Sequence, residues 1–162
     1  MSHDARQFRN ALGCFTTGVC IVTTNCNKLG RIGLTINSFA SVSLEPPLIL
    51  WSLDRNSDTL ASFREAGHFC INVLSDEAVG LSTRLSQKAN HGLDSEVHRF
   101  GVGEVPILKN ALAHFECEVT ARHDGGDHII IVGRVVHFDY DERGRPLVYY
   151  RGRYRGLAPL DS

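Results

Sequence analysis

The sequence predicts a mainly β protein, an antiparallel β-barrel flanked by a few short helices. Three observations lead there. Six or seven segments carry strand patterning, and most consecutive ones are joined by turns short enough for hairpins. Strands and helices do not alternate regularly, which argues against a doubly wound parallel sheet. The two clearest strand patterns, residues 115–122 and 128–137, flank Asp124-Gly125-Gly126-Asp127, a strong hairpin signal.

Taken in order, residues 4–12 read as a short amphipathic helix with Ala5, Phe8 and Leu12 on one face, capped by Ser2 or Asp4. Residues 19–24 (VCIVTT) are β-branched and read as a strand, 25–30 as a turn and 31–36 as the return strand. Residues 48–53 (LILWSL) form an apolar strand entered through Pro46-Pro47, which hold what precedes them extended. Ser57 opens a helix to about residue 66, with Leu60 and Phe63 on its core face and Gly67 ending it. Residues 68–74 read as a strand and 76–85 as a helix, with Val79 and Leu81 among its inward residues. From 86 to 106 the pattern stops, and a long irregular segment inside a compact domain is usually functional or mobile. In 115–122, Phe115, Cys117, Val119 and Ala121 alternate with Glu116, Glu118, Thr120 and Arg122, a half-buried strand. Residues 128–137 (HIIIVGRVVH) are nearly continuously apolar, which implies cover on both faces. Residues 147–150 and the arginine-rich stretch after them make a last strand.

At 162 residues the chain has the length of one domain, spanning 1–162, able to bury a core without disulfides or a metal. Its 43% apolar and 22% charged residues are ordinary for a soluble globular protein, and a net charge of −1 gives no field that would draw nucleic acid or an anionic membrane. No apolar run approaches the ~18 residues of a membrane span, and the N-terminus lacks the layout of a secretory signal. A cytoplasmic protein is expected, with neither nucleic acid nor membrane as partner. The five cysteines form no C-x-x-C pair; Cys20, Cys70 and Cys117 sit inside apolar runs and read as reduced core thiols. No two of the eight histidines have H-x-x-x-H spacing, and no metal site is expected.

Four segments hold residues able to do chemistry. Residues 35–43 place Thr35, Asn37, Ser38, Ser41 and Ser43 between two apolar strands. With the N–H groups of a turn, such side chains suit an acceptor-rich ligand, a flavin ring edge or a phosphate. They also make side-chain-to-backbone turns at strand ends, the plainer reading. In Arg55-Asn56-Ser57-Asp58-Thr59, Ser57 and Thr59 lie at a helix start, where unpaired N–H groups attract an anion or a simple N-cap sits. Gly126-Asp127-His128 projects a histidine from a rigid hairpin, either to donate to a carboxamide or pyrophosphate or as an ordinary strand residue. In residues 150–156 (YRGRYRG), an extended chain would put Arg151, Arg153 and Arg155 on one face and Tyr150, Gly152 and Tyr154 on the other. That is a cationic face for a dinucleotide phosphate with a stacking tyrosine, or a solvated edge strand whose arginines discourage pairing. No G-x-G-x-x-G, Walker or G-x-S-x-G motif is present, so a nicotinamide would be held by a surface other than a Rossmann turn.

Together these segments resemble the short-chain flavin reductase family, the reductase components of two-component flavin-dependent monooxygenases. The resemblance covers about residues 8–157 and runs through TGVCIVTT (17–24), GLTINSFASVSLEPPL (33–48), HFCINVLS (68–75), LKNALAHFEC (108–117), GDHIIIVGRV (126–135) and PLVYYRGRY (146–154). It implies an FMN-binding split β-barrel, an antiparallel Greek key working as a homodimer. It further implies a reductase that spends NADH or NADPH on FMN or FAD and hands the reduced flavin to a separate monooxygenase. In that frame Thr35, Asn37, Ser38, Ser41 and Ser43, with Val42 among them, hold the isoalloxazine and ribityl chain. Ser57 and Thr59 meet the phosphate, and His128 the nicotinamide dinucleotide, with Arg151 and Tyr154 nearby. The basic partner of the phosphate stays open among Arg55, Arg84 and Lys88. Hydride passes between two intrinsically competent cofactors, so no residue is assigned as catalytic acid, base or nucleophile. Two features depart from the family pattern: Trp51 is bulkier than expected on its strand, and residues 88–99 align with nothing. A non-catalytic flavin-binding protein, a pyridoxine-phosphate-type oxidase and a corrinoid cobalt reductase are the alternatives on the same barrel.

Overall fold

The structure, a computed structural model, describes residues 4–158. Ser2, one of the two candidate caps, and the outer ends of the 1–162 span lie outside these residues. Asp4 caps α1 (Ala5–Leu12), its carboxylate accepting from the Arg6 N–H at 2.9 Å. The expected apolar face of α1 enters no core, for Phe8 and Leu12 are both exposed. A short strand β1 (Thr17–Gly18) leads into β2 (Cys20–Cys26) and its hairpin partner β3 (Gly30–Ile36). Beyond a three-residue link come β4 (Ala40–Leu44) and β5 (Pro47–Asp54), again antiparallel. Helix α2 (Leu60–Glu65) starts later than Ser57 because the Ser57 and Thr59 hydroxyls bond each other in the turn before it. Then follow β6 (His68–Leu74), a 3-10 turn (Asp76–Ala78) and α3 (Val79–Leu85). Ser82 and Leu85 are the buried residues of α3; Val79, expected to point inward, is exposed.

The supposedly irregular stretch 86–106 contains structure. It supplies β7 (Val97–Phe100), which pairs with β8 (Pro106–Leu108). The long hairpin of β9 (Ala111–Gly125) and β10 (His128–Tyr140) reverses at Gly126-Asp127 as the sequence predicts, with Gly126 at φ +75°. The last strand is instead a second hairpin, β11 (Val148–Tyr150) and β12 (Arg153–Arg155). Arg151 and Gly152 both take positive φ between them, the backbone of a tight hairpin turn. Arg151 therefore leaves the face it was expected to share with Arg153 and Arg155.

Seven strands form one antiparallel sheet in the order β3-β2-β6-β9-β10-β5-β4, and β1 joins β11 and β12 in a smaller one. The outermost strands of the large sheet, β3 and β4, are consecutive in the chain. The link through residues 37–39 can span no more than about 14 Å, whereas a flat sheet of seven strands would hold its edges about 29 Å apart. The sheet must therefore curl until its edges nearly meet, giving a barrel with one unpaired seam. The seam falls at Asn37 and Ser38.

Trp51 explains its own size: fully buried, it stands edge-on to Phe63 at 5.1 Å and to Phe69 at 5.9 Å and fills the barrel. A Cβ at Gly133 would lie 2.5 Å from Phe69 Cζ, so this tightly packed floor admits only glycine there. A second cluster, including Ile21, Leu74, Leu85, Leu93 and Leu147, lies outside the barrel under α3 and residues 86–93. The strand covered on both faces is thus β2, where five consecutive residues are buried. In β10, expected to be covered twice, burial alternates: Ile129, Ile131 and Gly133 are buried, Ile130 and Val132 half-buried. On β9, Glu116 departs from its expected outward place and is buried, because Arg99 of β7 reaches over to pair with it at 2.9 Å. Cys20, Cys70 and Cys117 are buried free thiols, and burial pushes Cys20 up to about 12.

Candidate functional site

The wall of the seam formed by β3 is cross-linked. Thr35 Oγ1 donates to the Ser82 carbonyl at 2.8 Å, and the Ser82 hydroxyl shares a hydrogen bond with the Tyr154 hydroxyl at 2.8 Å. Tyr154 in turn packs edge-on against Tyr149. Ser82 and Tyr154, distant in sequence, thereby meet at the edge of β3. Next along the chain, Asn37 is exposed and faces a cleft of about 1110 Å³ shared with the C-terminal half of α1, Thr17, Tyr149 and Arg151. Arg151 donates its N–H to the Gly13 carbonyl, and its guanidinium reaches toward Cys14 Sγ at 3.8 Å. The Thr17 hydroxyl is buried and has no hydrogen-bond partner among the described residues. A buried hydroxyl left unpaired at the edge of a cleft is a place where a ligand or water completes the structure.

Ser38 takes the plainer of its two readings. Its hydroxyl accepts from the Ser52 N–H at 3.0 Å and donates to the Ser52 carbonyl at 3.2 Å, tying the link to β5. Ser41 and Val42 are exposed and Ser43 half-buried on β4, which bulges at Val42 and runs back along β5, away from the His128 end.

At that other end, Ser57 and Thr59 share one hydrogen bond of 2.8 Å, and Thr59 is fully buried while Ser57 reaches the surface. Asp58 between them turns away: one oxygen accepts from the Ala89 N–H at 2.7 Å, the other lies 2.8 Å from His91 Nε2. Arg55, which the sequence offered for the phosphate side, is committed elsewhere. Its Nε donates to the Gly126 carbonyl at 2.8 Å and its guanidinium pairs with Asp124, so it braces the tip of the long hairpin beside His128. His128 stands half-exposed there with Nδ1 2.7 Å from Asp127, whose carboxyl is held below the usual range by the hydrogen bond and charge of that ring. Arg84 is also spent, on Glu96 and the Gly92 carbonyl. Of the three basic candidates, Lys88 is exposed and has no ion-pair partner among the described residues.

The structure thus gathers Thr35, Asn37, Tyr154 and Arg151 along the β3 side of the seam, and Ser57, Thr59, Arg55 and His128 at one end of the barrel. Sequence reasoning missed Thr17, Ser82, Asp58 and His91. Thr17 lay in the motif TGVCIVTT and Asp58 inside the segment from Arg55 to Thr59; Ser82 and His91 had no local spacing to give them away.

One cluster elsewhere has metal-ligand chemistry. His114 and Glu116 on β9 and His137 on β10 can bring ligand atoms within 4.8 Å of one another. Arg99 already occupies that position, donating to Glu116 Oε1 at 2.9 Å and to His114 Nε2 at 3.0 Å. Burial, and then the charge of Arg99, lowers the His114 pKa, and the guanidinium supplies the positive charge that a metal would bring.

A curled antiparallel barrel with an oxygen- and nitrogen-rich seam has the build of a cofactor-binding split barrel. The comparisons agree: the model of the flavin reductase like domain matches residues 12–158, and the chain belongs to that family. It is 47% identical to the FMN reductase (NADH) SmoA of Agrobacterium fabrum, over 93% of this chain and 85% of that protein. It is 39% identical to HsaB of Rhodococcus jostii, the reductase subunit of a flavin-dependent monooxygenase, over 96% and 80%. Among solved structures, flavin reductase PheA2 superposes with a TM-score of 0.87 at 34% identity, covering 97% of this chain and all of that one. Among the described residues no helix is long and apolar enough to cross a membrane.

Proposed function

We propose that this chain is a cytoplasmic NADH-dependent reductase of FMN or FAD, a single domain over 1–162 that acts as a homodimer and passes reduced flavin to a separate monooxygenase. The observation that carries the reading is the seam: polar groups left where the first and last strands of a nearly closed barrel approach each other, beside a cleft large enough for a planar ring. The unpaired Thr17 hydroxyl fits a ligand rich in acceptors, as flavin is. Bound flavin and nicotinamide supply the hydride chemistry themselves. The chain orients them. In this reading Thr17 and Asn37, which line the cleft, donate to a polar ring edge, and Thr35, Ser82 and Tyr154 hold the wall behind them. Ser57 presents its hydroxyl to a phosphate, with Lys88 as the basic group, since Arg55 and Arg84 are engaged. His128, steadied by Asp127, is an orienting donor for the dinucleotide, while Arg151 lines the seam cleft beside Asn37.

Homodimer formation is supported by apolar side chains left uncovered, with Phe8, Leu12 and Phe15 on and after α1, and Val42 and Leu44 on β4. The experiment is direct: purified protein with NADH or NADPH and FMN or FAD, following loss of reduced-nicotinamide absorbance. Flavin-dependent NADH consumption is expected. No acceleration over the protein-free rate, with any pairing, sinks the reading.

A further inference from the structure

Residues 88–99 align with no family pattern, yet the first part of that stretch, through residue 93, is bonded firmly into place. The Gly33 N–H donates to the His91 carbonyl at 2.9 Å, the Leu93 N–H to the Arg31 carbonyl at 3.0 Å, and Ile32 bridges Gly92. This segment therefore lines the outer edge of β3 and stops two residues short of Thr35. Ala89 enters it with φ +64°, a left-handed backbone rare for a residue with a side chain.

The bond that holds Ala89 there comes from Asp58. One Asp58 oxygen accepts the Ala89 N–H and the other meets His91 Nε2, while His91 Nδ1 lies 3.1 Å from the Gly33 carbonyl. Carboxylate and carbonyl only accept, so His91 satisfies both when both of its ring nitrogens carry hydrogen. Its side chain is 8% exposed, so its ring nitrogens meet these two acceptors with little access to solvent. Burial alone would raise the Asp58 pKa, but the Ala89 hydrogen bond and the bond and charge of His91 hold it below the usual carboxylate range.

Nothing in the proposed cofactor chemistry uses Asp58 or His91, but their neighbours are the groups it needs. Asp58 lies between Ser57 and Thr59, and Ala89 follows Lys88. We infer that Asp58 and His91 form a clasp, a pair of positioning residues that locks the Ser57–Thr59 turn to the segment carrying Lys88 and so builds the site for a flavin phosphate. Without the clasp the two halves of that site belong to separate loops. The inference rests on the reading of Ser57 and Lys88 as phosphate ligands.

The test compares FMN with riboflavin, which lacks the phosphate, as substrates of the wild-type protein and of the Asp58→Asn, His91→Gln and double variants. Asp58→Asn keeps one acceptor oxygen where the carboxylate had two, so the Ala89 N–H and a His91 Nε2 N–H can no longer both be accepted, and because Asp58 is more than a third exposed this variant retains the barrel. Each single variant should raise the KM for FMN by about three- to tenfold, the worth of a lost hydrogen bond or two. The KM for riboflavin, the KM for NADH and kcat should stay close to wild type, and the double variant should be no worse than the poorer single one. A merely structural role would move FMN and riboflavin together, and that outcome overturns the clasp. So does an unchanged KM for FMN in all variants. If the wild-type protein itself uses riboflavin as well as FMN, the phosphate site is what fails, and the clasp falls with it.

Discussion

The two walls of the seam are built differently. The β3 wall is dressed and cross-linked: residues 91–93 pair along its edge, Thr35 is tied to α3, and Asp58 and His91 brace it from outside. The β4 wall is bare. Four of its five residues are exposed, Leu44 is 94% exposed, and the strand bulges at Val42. One wall is finished within the chain and the other has an unpaired edge and uncovered apolar side chains, the features that natural sheets usually hide. The difference fits the homodimer proposed above, in which this chain would prepare the polar side of the cofactor site and a second copy would cover the other.

The most disruptive way to test that contrast is to remove what the walls share. Trp51→Ala should cost about 3–5 kcal/mol and loosen both walls together, measured as a drop in the denaturant midpoint. Next in size, Leu44→Asp should convert a dimer to a monomer by light scattering and weaken flavin binding while leaving the β3 wall intact. A variant that remains dimeric assigns the interface elsewhere. Thr35→Val removes the bond to Ser82 and should lower stability by about 1 kcal/mol with the assembly unchanged. Thr17→Val should change the melting temperature of the ligand-free protein little, because the hydroxyl has no partner, yet reduce the rise that FMN produces. The smallest effect concerns pH. A depressed Asp58 pKa contributes stability above the ordinary aspartate value of about 3.9 and loses it as pH falls through the lower folded value. Acidification to that range should therefore destabilise wild type more than Asp58→Asn, read from denaturant midpoints at neutral and acid pH.

Much of the barrel was legible because its signals are local. The Gly-Asp turn between β9 and β10 and the β-branched run of β2 declare themselves within ten residues. What could not be read depends on partners far along the chain. Glu116 looks solvent-facing until Arg99 covers it, and Val79 looks inward until Ser82 takes that place. Arg151 fits an extended face until its φ of +47° turns the chain. The site divides the same way. Asn37 and Arg151, expected on the flavin and nicotinamide sides respectively, line one cleft, and whether Ser38, Arg55 and Arg84 are available depends on acceptors in other elements, for a sequence shows the donor without showing what has already claimed it. Residues 86–106 lack a pattern because their apolar anchors, Leu93, Val97 and Val105, serve a cluster outside the barrel and a small hairpin rather than one regular face.

The strand order carries a consequence for how the protein is made. The strands β2 and β3 emerge from the ribosome early, followed by β4 and β5, yet in the sheet β6, β9 and β10 stand between those two hairpins. Residues 37–39 tether the hairpins from the start, but the sheet lacks its middle until the long β9–β10 hairpin has been translated and inserted. Pairing over so great a sequence separation is slow, because the closure entropy falls due before the contacts repay it. A nascent chain short of about Tyr140 would hold every seam residue from Thr35 to Ser43 and still have no seam, so the cofactor can find its place only after synthesis has passed the end of the β9–β10 hairpin.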